Sequence, residues 1–287
     1  MKKSPVVLPI LLFLISAVSG CGPEAGKTVA PGKLDAFMKK WAVYEAFQGP
    51  FDPKDEPLLL AALENDPAGP WAQYLMMKYA STCSEARNLK PADRAARYRA
   101  ALEFLEPARD TLALSVKTAP DDEETQLKLQ HYFDGIGMHA AEASLEAGVN
   151  LEAVKSFAEA ALANNKDADS WNYGNIIFEA HSLLGRLAVI EGDVEEAKKQ
   201  LLASGRTPGS PQLNSFGPKF ILARQLLEKG ERDTVLEFFD LVARFWANPG
   251  VRTEVNAKSV AEEHLAMLEK WRKQVRAGEI PNANKWK

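Results

Sequence analysis

An all-α fold of stacked antiparallel helix hairpins is predicted for this 287-residue chain by three features. Ala, Leu, Glu and Lys are abundant from residue 33 onward, and these side chains lose little freedom in a helix. No stretch alternates apolar and polar β-branched residues, the pattern of a half-buried strand. Gly148, Gly192 and Gly230 each end one helical stretch and are followed by a short polar turn and another. Glycine suits the left-handed position just past a helix.

The chain begins with Lys2 and Lys3, an apolar run Val6–Val18 interrupted by Pro9, and the small residues Ser19 and Gly20 before Cys21. The run is short for a spanning helix and reads as a removable signal over residues 1–20. Two other readings of it are an uncleaved anchor helix and an export signal cut elsewhere. The sequence Val18-Ser19-Gly20-Cys21 resembles the lipobox of bacterial lipoproteins. That resemblance implies diacylglycerol on the Cys21 thiol, cleavage before it, and acylation of the new amine. Two or three acyl chains anchor stably where one is marginal. Gly22 follows in place of Asp. Because an Asp there resembles an inner-membrane retention signal, the expected location is the envelope of a bacterium, on the periplasmic face of the outer membrane if the cell is Gram-negative.

Residues 21–32, rich in Gly and Pro, form a tether. Within an N-terminal helical region, residues 33–132, helices are expected at 34–47, 58–64, 71–84 and 92–117. The segment Gln48–Pro57 and the cluster Asp66-Pro67-Ala68-Gly69-Pro70 break them. Pro107 removes an amide donor and predicts a bend. A long helix is expected at 121–147, loosened by Gly135 and Gly137. The acidic run Asp121-Asp122-Glu123-Glu124 favours its N-terminus. A last helix over 255–276 caps the array, and residues 248–287 comprise that cap and a basic tail containing Trp286.

Residues 133–247 repeat. Eight and seven residues before the turn glycines stand Ala140-Ala141, Leu184-Gly185 and Leu222-Ala223. Five after stand Ala153, Ala197 and Val235; nine after stand Phe157, Leu201 and Phe239. Small residues let helices approach and bulky ones fill the seam. Asp193 is placed to cap the next helix with Glu196 as its partner, and Asn150 to cap likewise. By these residues the chain resembles the tetratricopeptide repeat, best in the pair His181–Pro208. It departs from that family in its glycine spacings, 192 − 148 = 44 and 230 − 192 = 38 against about 34. It departs too in His181 and Lys219, which stand where Trp is common. The resemblance implies a concave groove lined by positions six and ten before each glycine: Glu142, Arg186 and Arg224, with Met138, Ser182 and Phe220. Arg186 and Arg224 would face one trough and clamp a carboxylate or other anion, with Phe220 as an apolar contact. Without the groove, each arginine pairs with a Glu on a solvated face.

Loss of residues 1–20 leaves 267 residues and takes the net charge from −4 to −6. A mildly acidic chain does not suit nucleic acid. With Cys21 lipidated, Cys83 has no disulfide partner and reads as an inert core thiol. His131, His139, His181 and His264 show no metal-binding spacing, and no nucleophile elbow or phosphate loop is present, so no catalytic residue, metal or cofactor is assigned. The connector Pro208–Pro218 either holds a fixed shape against the groove or absorbs irregular repeat length. The composite expectation is a membrane-anchored scaffold binding a protein or peptide. The alternative is an envelope enzyme acting on cell-wall or glycan material through scattered carboxylates. A buried carboxylate pair in a closed pocket would favour the enzyme, and an open groove without perturbed groups the scaffold.

Overall fold

A computed structural model describes residues 31–41, 56–247 and 257–282. About 80% of the described residues are helical, in twelve helices with no strand, so the fold is all-α. Cys21, the tether before residue 31 and the tail after Asn282 lie outside the described residues.

The N-terminal helices are α1 (Pro31–Trp41), α2 (Glu56–Asn65), α3 (Trp71–Ala86), α4 (Pro91–Thr118) and α5 (Glu123–Ala147). The long pair α4 and α5 packs side by side, with α3 against both. One core, including Leu63, Leu75, Tyr79, Leu105, Leu112 and Ile136, joins all five. Helix α4 runs unbroken through Pro107. Helix α5 runs through Gly135 and Gly137, and a Cβ at Gly137 would meet the Phe157 ring at 2.3 Å, so the missing side chain is what admits that ring. Asp122 caps α5 by accepting from the Thr125 amide at 3.0 Å.

The C-terminal helices are α6 (Leu151–Asn164), α7 (Tyr173–Glu191), α8 (Val194–Gly205), α9 (Pro211–Phe216), α10 (Ile221–Glu228), α11 (Arg232–Ala247) and α12 (Ala257–Arg276). Successive pairs α5–α6, α7–α8 and α10–α11 pack as neighbours, with α7 against α6 and α10, and α8 against α11. The turn glycines at 148, 192 and 230 all have positive φ. Asp193 caps α8 through the Glu196 amide at 2.9 Å.

Asn150 departs from its expected role. It takes φ 54° and makes no side-chain cap; its amide donates instead to Glu106 Oε1 at 3.0 Å. The turn Gly148-Val149-Asn150 is one residue longer than Gly192-Asp193, and the seam moves by one. Val154 and Ala158 are buried where Ala153 and Phe157 were expected, and Ala153 is exposed. In the other pairs Ala197 and Leu201, and Val235 and Phe239, are buried as the register requires.

The connector before α10 is pinned by hydrogen bonds. Thr207 Oγ1 donates to the Gly174 carbonyl at 2.8 Å, and Ser210 caps α9 through Leu213 N at 3.0 Å. Trp246 Nε1 donates to the Leu213 carbonyl at 3.0 Å. Leu268, Trp271 and Val275 of α12 bury into the core of α8, α10 and α11.

Candidate functional site

The start of α4, the last turns of α5 and α7, and residues 219–228 converge on a half-open cleft of about 500 Å³. Its polar base is a chain of charges. Lys219 Nζ donates to both carboxylate oxygens of Glu142, at 3.0 and 2.8 Å. Arg186 Nη1 stands 3.9 Å from Glu142 Oε1, and its Nη2 donates to Glu146 Oε1. Glu146 in turn faces Arg94 Nε at 3.8 Å. Glu142 and Arg186 are 8% and 6% exposed, so both charges are held by partners rather than water.

These residues meet because of helix period and turn geometry. Glu142 and Glu146 lie four apart on α5, on one face. Arg186 lies on α7, which packs against α5. Lys219 precedes α10, in the irregular stretch after Gly217, whose φ of 78° turns the chain toward α5.

Burial opposes ionisation of Glu142, but the Lys219 ammonium and the Arg186 guanidinium outweigh it and hold the carboxyl down at about 2. Burial would likewise lower Lys219, yet Glu142 and then Glu179 raise it. Glu179 moves the other way: burial raises its carboxyl, Lys219 pulls it back, and Glu142 adds to the rise. His139, packed at a tilt against Tyr79 with ring centroids 4.7 Å apart, is lowered to about 4 by burial, helped by Lys219 and opposed by Glu142. Burial pushes the Cys83 thiol up, with Glu142 adding to the rise, so this cleft-lining cysteine is a poor nucleophile at neutral pH. A second cavity of about 30 Å³ shares Glu142, Arg186, Lys219 and Ile221 with the cleft and adds Glu179 and Ser182. It has room for about two waters.

The rim carries Arg87, Arg94, Arg224, Gln225 and Glu228. Arg224 Nε pairs with Glu228 Oε1 at 2.9 Å on the same helix, both side chains being more than 40% exposed. Leu145, Ile190 and Ile221 supply an aliphatic side. Among the described residues the cleft presents five cationic side chains against three carboxylates, a balance of +2 in a chain of −4.

Of the residues expected at the groove, Glu142, Arg186 and Arg224 line this one cleft. Ser182 lines the smaller cavity, and its hydroxyl donates to the Phe178 carbonyl at 2.7 Å. Met138 lines that cavity as well and is buried. Phe220 is the correction. It is 2% exposed and packs edge-on against Trp271, with centroids 4.9 Å apart, among Phe238, Phe239 and Trp246. A ring enclosed on these sides fills the core and cannot touch a ligand. Sequence reasoning missed Lys219, Arg87, Arg94, Glu146, Glu179 and Gln225. Lys219 did carry a signal, a cation where the repeat register expects an aromatic.

Among the described residues no helix is long and apolar enough to cross a membrane, and no three His, Cys, Asp or Glu side chains gather to hold a metal ion. No protein-family model, curated protein or solved structure matches the chain.

Proposed function

We propose that this chain is a lipid-anchored scaffold of the bacterial cell envelope, tethered through Cys21, whose helix hairpins stack as a tetratricopeptide-like solenoid and receive a protein or peptide in the cleft. The observation that carries this reading is the cleft itself, half-open and about 500 Å³, within the range of about 300–1,000 Å³ typical of binding sites. It lies between successive helix pairs, where stacked repeats offer a binding surface. The neighbouring pairs α5–α6, α7–α8 and α10–α11 and their glycine turns support the repeat arrangement.

The enzyme reading draws on one observation: Glu142 and Glu179 line the same small cavity and their carboxyls are driven in opposite directions. Such divergence marks acid–base pairs in many active sites. Against it, both Glu142 oxygens are taken by Lys219 and the cleft above is open to solvent, which suits binding better than catalysis.

The test is photo-crosslinking from the cleft in native membranes, with a photoreactive amino acid in place of Ile190, which is 52% exposed on the cleft side. A discrete protein captured from this position, and from a control surface position only weakly, is the expected result. Mass spectrometry finding Cys21 unmodified, or no protein captured from position 190, overturns the proposal.

A further inference from the structure

We infer that the cleft recognises a through-running acidic polypeptide segment, with two or more Asp or Glu side chains interleaved with aliphatic ones; this rests on the scaffold reading and specifies what the scaffold holds.

The charges divide into a committed set and an available set. Arg186 and Lys219 are matched at the base by Glu142 and Glu146. The surplus lies at the rim. Arg87 is exposed and makes no ion pair or hydrogen bond among the described residues. Arg94 meets Glu146 only at 3.8 Å and is 42% exposed. Arg224 is held only by Glu228 of its own helix. Exposed pairs of this kind contribute about 0–1 kcal/mol, so a ligand carboxylate displaces the partner at little cost. The available cations also stand apart. Arg87 and Arg94 flank the start of α4, and Arg224 sits on α10. Carboxylates spaced along a segment can pair with cations on both elements.

Two residues that line the cleft each keep a buried polar atom without a partner. Gln225 Oε1 is buried without a donor, and Arg186 Nε is buried without an acceptor. Every peptide unit supplies one N–H and one C=O, while inorganic phosphate at neutral pH is chiefly an acceptor. The aliphatic side of Leu145, Ile190 and Ile221 matches side chains between the acidic ones. Among the described residues Tyr98 is the one aromatic lining the cleft, so they offer no row of ring platforms on which single-stranded nucleic acid stacks.

The experiment uses the full chain purified in detergent. It is exposed to an array of octapeptides, acetylated and amidated, with Asp or Glu at two to four positions among Leu, Val and Ala, and to the same array with Asn and Gln. The strongest acidic peptides are then measured by fluorescence anisotropy. Cys21 and Cys83 are the only cysteines, so maleimide labelling with peptide mapping reads Cys83, inside the cleft, separately.

Acidic peptides are expected to bind at least about tenfold more tightly than their amide counterparts, to weaken as salt rises, and to slow Cys83 labelling. The double variant R87E/R224E, altered only at exposed positions, is expected to weaken binding by about tenfold or more while its unfolding midpoint stays put. Equal binding of the amide array, unchanged affinity in R87E/R224E, a requirement for a free C-terminal carboxylate, or protection of Cys83 by inorganic phosphate but by no peptide each overturns the inference. A partner crosslinked at position 190 through a non-acidic segment also overturns it and leaves the scaffold reading standing. Absence of any crosslinked protein removes the scaffold reading itself.

Discussion

Arg186 and Arg224 stand six residues before their turn glycines on successive hairpins, yet one is 6% exposed and the other lies at the rim. The difference comes from the neighbour on the N-terminal side. Helix α7 spans 19 residues and packs against α5, which sets Glu142 and Glu146 opposite Arg186. Helix α10 has only 8 residues and finds its sole carboxylate partner one turn along its own length. The preceding stretch, Gly217 to Phe220, is irregular; it sends Lys219 into the cleft and Phe220 into the core. Sequence register therefore sets which face of a hairpin a residue occupies, and the preceding helix pair decides whether that face is buried.

The largest expected effect tests what anchors the shorter hairpin. Phe220 touches Phe238, Phe239, Trp246 and Trp271. Phe220→Ala is expected to lower unfolding free energy by about 4 kcal/mol, read by urea denaturation, because a buried ring leaves a cavity its neighbours fill poorly. A loss under about 1 kcal/mol would mean that α10 is held by something other than this cluster.

Next comes Arg186→Met, which keeps an aliphatic stem in place of the guanidinium. Breaking a buried ion pair costs about 3–5 kcal/mol, and the lower end is expected since Glu142 keeps Lys219 and Glu146 keeps Arg94. The acid response gives a second readout. The Glu142 carboxyl lies at about 2 in the fold against an ordinary 4.5. A depressed folded value means stability is fully present above pH 4.5 and is lost as pH falls toward 2, in total roughly 3 kcal/mol. Arg186→Met, lacking one of the two cations that hold Glu142 ionised, is expected to show a shallower loss over that interval. An unchanged acid profile would show that Lys219 alone fixes the carboxylate.

The hairpin half of the fold was readable because its determinants are local. A glycine with positive φ, a capping Asp193 and seam residues at fixed offsets all lie within a dozen residues of one another. The seam at α6 slipped by one because Asn150 took a left-handed conformation, a choice its residue type allows but does not dictate. The N-terminal half was read as helices without an order, since α4 and α5 find each other through long-range packing rather than a turn signature. The site divides in the same way. Glu142, Arg186 and Arg224 follow from repeat register, whereas Arg87, Arg94 and Lys219 reach the cleft through tertiary placement of a helix start and an irregular loop. Phe220 was misplaced for a related reason: its register position assumes a helix that begins before it, and α10 begins just after.

The smallest effect separates packing from recognition. Arg224→Met removes a charge whose partner, Glu228, is 49% exposed and remains solvated when left alone. Stability is therefore expected to change by no more than about 0.5 kcal/mol. If Arg224 serves the cleft, affinity for an acidic peptide is expected to fall about three- to tenfold in the same variant, with no change in its acid unfolding profile. Arg186→Met is expected to behave in the opposite manner, with stability and acid response altered first and affinity changed only through the displaced floor. Should both variants lose stability equally, the contrast between a buried and a solvated arginine at one register position would be wrong. Should neither change peptide affinity, the rim charges would be ordinary surface charge, and the cleft would need a different ligand.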